Sequence, residues 1–434
     1  MTPSEQFAGF LSNLAIKNAE TISLRYGELT SALNKAFRDT ESKTGNTLQV
    51  GSFGRSTGIN GISDLDMLYI MPKRTWADYE QGGQRKLLLA VSAAIQKRYP
   101  KTDVRVDRLV VTVTYTDFHV EVQPVYEQED RSYKYPDTKG EGAWKITKTR
   151  EEMAEIARLD TEKNGNLRRL CKMTRAWKNK HGVGMGGLLI DSLSYNFLSN
   201  TDDYDDVGVG QSGAMMRAFV DYLSGLPKQG RYDAPGSRQH VRSKRLFQRK
   251  AGKARKLCDR ALESKTAKSI ARKWRAVFGR PFPLVEVAAK AVNETSKAWD
   301  DTEQFIEDKY PVDIRSHVSL DCPVTQAGFR SRTLRDMIAR CLPLMANKSL
   351  EFWVEDCDVV GDYSIEWKVL NRGEEARRRN MVRGQIVEDR GRRRLTDSTT
   401  FRGDHVVECY VVQSGVVVAK TRIHVPIESN SESK

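Results

Sequence analysis

Apolar side chains follow a helical period at one end of the chain and a strand period at the other. Within residues 1–45, Ile22, Tyr26, Leu29 and Leu33 recur at spacings of three or four, which predicts helix with one buried face. In the last part of the chain, apolar and polar residues alternate, as in YSIEWKVLN. This period of two predicts an all-β sandwich of short strands.

The first half of the chain mixes the two patterns. A glycine-rich turn over residues 51–63 leads into an apolar run at 65–71, and β-branched stretches follow at 104–115 and 118–126. A helical segment at 84–98 lies between the first of these strands and the others. Strands interrupted by a crossing helix predict an α+β or α/β core of the kind that carries catalytic sites.

Helical periodicity returns over about residues 151–280, where Leu167, Leu170, Thr174 and Trp177 form an apolar stripe. Prolines then mark the breaks before the alternating tail. We therefore predict five segments: a mixed catalytic core with an N-terminal helix (1–150), a helical lobe completing a cleft (151–310), a linker (311–346), a β-rich domain (347–428) and a disordered tail (429–434).

The charge balance is strongly positive. Lys and Arg number 71 against 57 Asp and Glu, which gives a formal net charge of +14 over 434 residues. Such an excess indicates an anionic partner, and nucleic acid, nucleoside triphosphates and acidic lipid all remain open. Hydrophobic residues make up 39% of the chain, enough for packed cores, so the composition excludes a wholly disordered protein.

Several features favour a cytoplasmic protein without a membrane partner. The longest apolar run, at 87–95, is about half of the roughly 18 residues that a membrane helix needs. The N-terminus lacks the basic flank and apolar core of a secretion signal. The six cysteines include no CxxC spacing, which favours free thiols in a reducing compartment.

A pair of carboxylates follows the glycine-rich turn. Asp64 and Asp66 are two residues apart at the head of an apolar strand, so both side chains leave the same face. Two carboxylates so close together require a cation between them, and a pair of Mg²⁺ ions suits hard oxygen ligands and phosphate chemistry. Upstream, Gly51 and Ser52 offer backbone amides and a hydroxyl to a triphosphate.

A third carboxylate comes from the second β-branched stretch. In FHVEVQPVYE, Glu121 shares a face with His119 and Gln123, and it is positioned to lie beside Asp64 and Asp66 in one sheet. In the alternative interpretation these residues have only structural roles: the Asp pair lies in a turn at the start of the strand, and Glu121 is a solvated strand residue. The distance to the Gly-Ser turn and the second acidic strand favour the metal site over that interpretation.

The chain resembles the polymerase-β-like nucleotidyltransferases in the string GSFGRSTGINGISDLDM followed by HVEVQP. It is more closely similar to the bacterial cGAS/DncV-like nucleotidyltransferases of the SMODS family through NLRRLCKMTRAWKNKHG, GLLIDSLSYNFL and RYDAPGSRQHV, over roughly residues 1–300. The tail looks like the adenylyl/guanylyl and SMODS C-terminal sensor domain. The resemblance implies an α+β fold: a polymerase-β-like core, a helical second lobe and an all-β sandwich-like C-terminal domain.

The resemblance also implies roles for the site residues. Gly51 and Ser52 would hold the donor triphosphate, while Asp64, Asp66 and Glu121 would be the catalytic residues and the ligands of Mg²⁺ or Mn²⁺. The family most often has Asp at the third position, so Glu121 is a departure that remains chemically competent.

Other positions are assigned by the same resemblance with alternatives left open. Asp117 and Glu127 are the fallbacks for the third metal ligand. Lys172 or Arg175 would grip the triphosphate, and the sequence does not separate them. Ser192 matches a family serine near the donor phosphate or ribose, against the alternative of a packed helix serine.

The implied activity is template-independent nucleotidyl transfer. A ribose hydroxyl attacks the α-phosphate of a second nucleoside triphosphate, and repetition gives a cyclic di- or trinucleotide messenger in bacterial anti-phage signalling. The implied partners are nucleoside triphosphates, a downstream effector and protein regulators, with nucleic acid only as an activator. The alternatives are a nucleotidyltransferase with linear products on RNA ends or proteins, and a non-catalytic nucleic-acid-binding protein.

Two basic tracts and four aromatic or imidazole side chains complete the candidates. Residues 237–260 contain ten Lys and Arg against one acid, and residues 372–394 contain nine against four. We favour a solvated helix face and a charged loop over a nucleic-acid surface. We favour packing over base stacking for Tyr204 and Tyr232. For Trp367 and His405 of the tail, packing competes with a role as ligand-sensing contacts.

Overall fold

A computed structural model describes the chain in segments: 1–116, 118–285, 303–326, 330–345, 349–372, 383–398 and 404–428, with residues 376 and 378. These residues divide into two compact units. The first comprises Met1–Lys180 and Met185–Val285, and the second comprises His181–Gly184 with the described residues beyond 302. Among the described residues, no helix combines the length and apolarity needed to cross a bilayer.

The first unit contains the following elements. Its helices are α1 (Pro3–Leu14), α2 (Ala19–Arg38), α3 (Gly51–Gly54), α4 (Gln84–Arg98), α5 (Thr149–Glu162), α6 (Asn166–His181), α7 (Gly187–Ser199), α8 (Ser212–Gly225), α9 (Gln248–Leu262) and α10 (Ala267–Phe278). Its strands are β1 (Thr47–Gln49), β2 (Asp64–Ile70), β3 (Asp103–Val106), β4 (Val111–Thr114), β5 (His119–Glu127), β6 (Tyr133–Asp137), β7 (Ala143–Thr147), β8 (Arg231–Asp233) and β9 (His240–Arg242).

The α+β core of the first unit is built on one mixed sheet. Its strand order is β1-β2-β5-β4-β3, and β6 and β7 continue from the far end of β5. The pairing of β2 with β5 is parallel, whereas β1, β3 and β4 join antiparallel. The α4 helix therefore serves as the crossover that a parallel pair requires. The predicted α+β core is confirmed.

The N-terminal helices pack as their periodicity predicts. Ile22, Leu29 and Leu33 of α2 are fully buried with the apolar residues of α4 and the sheet. The predicted helical region is divided into α1 and α2. Thr2 caps α1, because its side chain accepts from the Glu5 backbone amide while the Glu5 carboxylate accepts from the Thr2 amide.

The helical part of the first unit buries the stripe that the sequence marks on α6. Leu167, Leu170, Thr174 and Trp177 are all inaccessible to solvent. Their spacing places them on one face of α6, so the opposite face is left for charged residues. This prediction from the 3.6-residue period is confirmed.

The second unit is mainly strands. Its helices are α11 (Ile306–Lys309) and α12 (Leu334–Ala339). Its strands are β10 (Val318–Asp321), β11 (Pro323–Val324), β12 (Arg332–Thr333), β13 (Leu344–Met345), β14 (Ser349–Cys357), β15 (Ser364–Arg372), β16 (Ile386–Glu388), β17 (Arg394–Ser398), β18 (Asp404–Gln413), β19 (Val416–Val425) and β20 (Ile427–Glu428).

Two sheets of this unit face one another. Sheet β10-β14-β17 and sheet β16-β15-β18-β19 contribute to one apolar core. Leu320 and Phe352 come from the first sheet, and Trp367, Cys409 and Val418 come from the second. The inward residues of YSIEWKVLN are thus core residues of a sandwich, as their alternation predicts.

The segment 311–346 corrects the expectation of a linker. It contributes β10, β11, β12, α12 and β13, and Leu320, Cys322 and Leu334 are fully buried in the sandwich core. These elements are too short for a periodic signal to distinguish them from loop, since three of the strands, β11, β12 and β13, span two residues each. The tail 429–434 lies outside the described residues.

Candidate active site

The parallel pairing of β2 with β5 brings the three predicted carboxylates together. In this register Asp64 is opposite His119 and Asp66 is opposite Glu121. Residues two apart on a strand share a face, so Asp64, Asp66 and Glu121 project from the same side of the sheet. The buried valines between them, Val120 among them, face the core.

His119 joins this cluster, a role that the sequence alone did not predict. Its Nε2 lies 2.9 Å from Asp64 Oδ1 and 3.9 Å from Glu121 Oε1. The Ser63 hydroxyl also donates to Asp64 Oδ1, at 2.8 Å. The sequence signal for His119 was its position two residues before Glu121, on the same face of the strand.

The donor set fits a divalent cation. Ligand atoms of Asp64, His119 and Glu121 all lie within 4.8 Å of one another, and Asp66 adds a carboxylate on the same face of the sheet. Carboxylate oxygens suit Mg²⁺ and Mn²⁺, and an imidazole is acceptable to Mn²⁺. This arrangement could hold a divalent cation through Asp64, His119 and Glu121, with Asp66 on the same face of the sheet.

Of the two fallback ligands, Glu127 does not join the cluster. Asp117 lies outside the described residues. Glu127 is at the far end of β5, where its Oε1 accepts from the Tyr133 hydroxyl at 3.5 Å and lies 3.9 Å from Arg150 Nε. The geometry therefore favours Glu121 over Glu127 as the third carboxylate.

Gly51 lies directly against Asp66 of the carboxylate cluster. Its φ of +64° is in the left-handed region, and a Cβ built at this position would be 1.7 Å from Asp66 Oδ2. Any side chain here would therefore displace the carboxylate as well as strain the backbone. The Val50 amide donates to the Asp66 carbonyl at 3.0 Å, which ties the turn to β2.

Ser52, in the glycine-rich turn, lines a cavity of about 1130 Å³. The Ser52 carbonyl accepts from the amides of Thr57 and Gly58, at 2.9 and 3.0 Å, and this closes the turn. Lys172 lies in the wall of the same cavity, together with Gln49 of β1. The cavity thus brings together the predicted phosphate-binding serine and one of the two candidate cations.

Lys172 and Arg175 differ sharply in their surroundings. Lys172 is half-buried, and burial together with the nearby Arg168 guanidinium lowers the pKa of its ammonium group. Arg175 is 5% exposed, and its Nη1 donates to Asp191 Oδ1 at 2.7 Å. The structure therefore places Lys172 at the cavity and Arg175 in a buried ion pair.

Asp191 is a charged residue of this region that the sequence patterns did not indicate as functional. It is inaccessible to solvent and accepts from Arg175, from Arg55 Nε at 2.8 Å and from the Thr57 hydroxyl at 3.0 Å. Burial alone would raise the pKa of Asp191, but the two guanidinium groups lower it to about 2. An acid inside the apolar string GLLIDSL was the available signal.

Ser192, next in the chain, is also fully buried on α7. Its hydroxyl has no hydrogen-bond partner among the residues that the structure describes. Neither tyrosine considered for base stacking is an open platform: Tyr204 packs on Phe197, with 5.7 Å between ring centroids, and Tyr232 is buried next to Phe247.

Two residues proposed as ligand contacts in the second unit are buried. Trp367 is 1% exposed, and its Nε1 donates to Asp389 at 3.0 Å. His405 Nδ1 lies 2.9 Å from Asn371 Oδ1. Packing therefore accounts for both side chains.

The first basic tract forms part of α9. Arg249, Lys253, Lys256 and Arg260 are exposed at spacings of four, three and four, which places them on one helix face. On another face, Arg255 pairs with Asp221 at 2.8 Å. The second tract lies partly outside the described residues.

The mixed sheet, its paired acidic strands and the adjoining Gly-Ser turn define a polymerase-β-like nucleotidyltransferase. Residues 1–160 match the model of the Second Messenger Oligonucleotide or Dinucleotide Synthetase (SMODS) domain. Residues 300–428 match the Adenylyl/Guanylyl and SMODS C-terminal sensor domain. The chain therefore carries a SMODS domain and a C-terminal sensor domain, which confirms the resemblance to the SMODS family.

Solved structures agree with this fold. The CdnC:HORMA-deltaN complex of E. coli MS115-1 is similar at 15% identity and a TM-score of 0.50, over 64% of this chain and 98% of that chain. Vibrio cholerae DncV cyclic AMP-GMP synthase aligns at 15% identity over 55% of this chain and 69% of that chain, with a TM-score of 0.46. No curated protein matches the chain.

Proposed function

We propose that this protein joins nucleoside triphosphates, without a template, into a cyclic di- or trinucleotide messenger. The observation that carries the proposal is the placement of Asp64, Asp66 and Glu121 on one face of two paired parallel strands, with Gly51 against Asp66. The description of the matched domain, a second messenger oligonucleotide or dinucleotide synthetase, supports the cyclic product.

The chain's own residues would bind and orient the substrates. The turn at Gly51 and Ser52 offers its amides and hydroxyl to the donor triphosphate, and Lys172 supplies a positive charge from the lining of the cavity that Ser52 also lines. Mg²⁺ or Mn²⁺, when bound, neutralises the carboxylates and the phosphate charge. Most of the rate enhancement in such transfers comes from positioning and charge stabilisation.

The transfer breaks one P–O bond and forms another. The acceptor ribose oxygen attacks the α-phosphorus, Glu121 takes the hydroxyl proton, and the bond to the bridging oxygen breaks to release pyrophosphate. A second transfer between the ends of the linear product would close the ring. We further propose that the product acts through an effector in bacterial anti-phage signalling within the cytoplasm.

Product analysis tests the proposal. The full chain is incubated with ATP, GTP, CTP and UTP and Mg²⁺ or Mn²⁺, treated with phosphatase and examined by mass spectrometry. We expect a phosphatase-resistant product of cyclic mass, which Asp64→Ala plus Asp66→Ala does not form. Unchanged nucleotide consumption by this double variant would refute the mechanism.

The same experiment separates the alternative enzyme. A nucleotidyltransferase with linear products leaves a terminal phosphate that phosphatase removes, so its product mass falls on treatment. A protein that only binds nucleic acid consumes no triphosphate. The CdnC structure contains a HORMA protein, and we propose that a protein regulator controls this enzyme also; we assign nucleic acid the role of activator only.

A further inference from the structure

The buried carboxylate of Asp191 connects three segments of the first unit. It accepts from Arg55 and Thr57, which end the phosphate-binding turn, and from Arg175 of α6. Asp191 itself lies on α7 and has no solvent exposure. A charge in this position is stable only because its cationic and hydroxyl partners replace water.

The residues held by Asp191 in turn hold the residues proposed to bind phosphate. The Arg55 amide donates to the Gly51 carbonyl at 3.1 Å, and the Thr57 amide donates to the Ser52 carbonyl at 2.9 Å. The Thr57 hydroxyl also lies 3.5 Å from the Ser52 carbonyl. Any shift of Arg55 or Thr57 therefore moves the turn.

Arg168 also links the same turn to α6, and an ion pair with Asp160 holds its guanidinium group in place. Arg168 Nε donates to the Arg55 carbonyl at 3.0 Å, and Arg168 Nη1 is 3.2 Å from Asp160 Oδ2. Arg168, Lys172 and Arg175 are separated by four and three residues, so they share one face of α6. Arg168 and Arg175 contact the turn or its anchor, and Lys172, between them, faces the cavity that Ser52 also lines.

We propose that Asp191 is a positioning residue that sets the separation between Ser52 and Lys172 and thereby determines affinity for the nucleoside triphosphate. The inference rests on the proposed function, since it assumes that these two residues hold the triphosphate. Asp191 is inaccessible to solvent, and its described hydrogen bonds come from Arg55, Thr57 and Arg175. It acts through Arg55 and Thr57 on one side and through Arg175 on the other.

The geometry explains why a charged residue holds this place. An apolar side chain would fill the space, and buried ion pairs are often replaceable by hydrophobic residues with no loss of stability. Hydrophobic contacts, however, are not directional, whereas three hydrogen bonds to one carboxylate fix the positions of three partners. Because all phosphate-binding groups are then in place before the substrate arrives, binding loses less conformational freedom.

Thr57→Val gives the sharpest test. It keeps the shape of the side chain and removes its hydroxyl bond to Asp191. The matched control is Thr174→Val on α6, where an equally buried hydroxyl donates to the Leu170 carbonyl at 2.8 Å and has no bond to the turn. Binding of the α,β-methylene analogue of ATP is measured by calorimetry, so that no turnover is needed.

We expect Thr57→Val to weaken analogue binding about tenfold, the effect of one hydrogen bond to a charged group, and to leave Mn²⁺ binding by the carboxylates unchanged. Thr174→Val should lower thermal stability without changing either affinity. Equal analogue affinities in the two variants would overturn the proposal, and so would a parallel loss of Mn²⁺ affinity in Thr57→Val.

Asp191→Asn provides a second variant. If it folds, the KM for the triphosphate should rise more than tenfold, while the kcat at saturation falls much less; a lowered kcat at unchanged KM contradicts the positioning role. If it does not fold, the Thr57→Val result decides. Failure of the proposed function has a different signature, because the wild-type protein would then form no product although analogue binding still depends on Thr57.

Discussion

The Asp66 carboxylate occupies the space that a side chain at residue 51 would need. A Cβ at Gly51 would lie 1.7 Å from Asp66 Oδ2, well inside van der Waals contact. The turn that is proposed to hold phosphate and the strand that carries Asp64 and Asp66 are therefore in direct contact at this one position. A side chain at residue 51 would displace Asp66 itself, so we expect Gly51 to tolerate substitution least.

We expect Gly51→Ala to abolish both Mn²⁺ binding and product formation, because the methyl group must displace Asp66. The matched control is Gly61→Ala. Gly61 also has a positive φ, +81°, but has nothing within 4 Å of a Cβ, so it pays only the backbone strain of about 1 kcal/mol. Calorimetric Mn²⁺ titration of both variants checks the prediction; equal losses would show that strain, and not the clash, is responsible.

Substitutions at Glu121 should separate the effect of its negative charge from the effect of its side-chain length. Glu121→Gln removes the negative charge opposite Asp66 and should lower kcat by about a thousandfold. Glu121→Asp keeps the charge and matches the residue most common in the family, so activity within about tenfold of wild type is expected. A Gln variant as active as the Asp variant would exclude Glu121 as a metal ligand or a base.

His119 should contribute to metal affinity through Asp64, since its Nε2 lies 2.9 Å from that carboxylate. We expect His119→Ala to weaken Mn²⁺ binding about tenfold, as loss of a residue that orients a ligand typically does. His240→Ala, on the exposed end of β9, serves as the control. Titration of Mn²⁺ by electron paramagnetic resonance gives both values.

Lys172 should make triphosphate binding pH-dependent in the alkaline range. Because burial and Arg168 lower the pKa of Lys172, its positive charge is lost at a lower pH than that of an ordinary lysine, and KM should rise as the pH passes that value. Lys172→Arg keeps the charge and should remove the rise. Lys172→Met should raise KM at every pH by about tenfold or more. A Lys253→Met control on the exposed face of α9 should change neither.

Glu152 should destabilise the fold as pH rises. Burial raises the pKa of Glu152 above its ordinary value of 4.5, against the opposing effects of the Ser237 hydroxyl and Arg55. The folded protein therefore holds this proton more strongly than the unfolded chain, so stability is full below pH 4.5 and falls as pH rises through the raised pKa. We expect Glu152→Gln to gain thermal stability relative to wild type at pH 8 and to show no gain at pH 4. The same difference in melting temperature at both pH values would disprove the shift.

The sequence predicted those parts of the site that a short period encodes. Asp64, Asp66 and Glu121 follow the alternation of a strand, so their common face could be inferred before the pairing of β2 with β5 was known. Asp191 followed no such rule, because its partners Arg55 and Arg175 come from distant points of the chain and meet only in the packed fold. The strands of 311–346 were not predicted for a different reason: strands of two residues are too short to show an alternation of apolar and polar positions.

The register of β2 against β5 is enforced by residues that never meet a nucleotide. Val120 and Val122 are fully buried, and a slip of one residue would turn both into solvent while moving Glu121 into the core. Such a slip would bury a charge and lose two apolar contacts at once, so the spacing of the carboxylates is protected by an energy gap that belongs to the core. The burial of Val120 and Val122 therefore determines the strand register, and the register determines the spacing of the carboxylates. Substituting the acidic residues alone should leave that spacing unchanged.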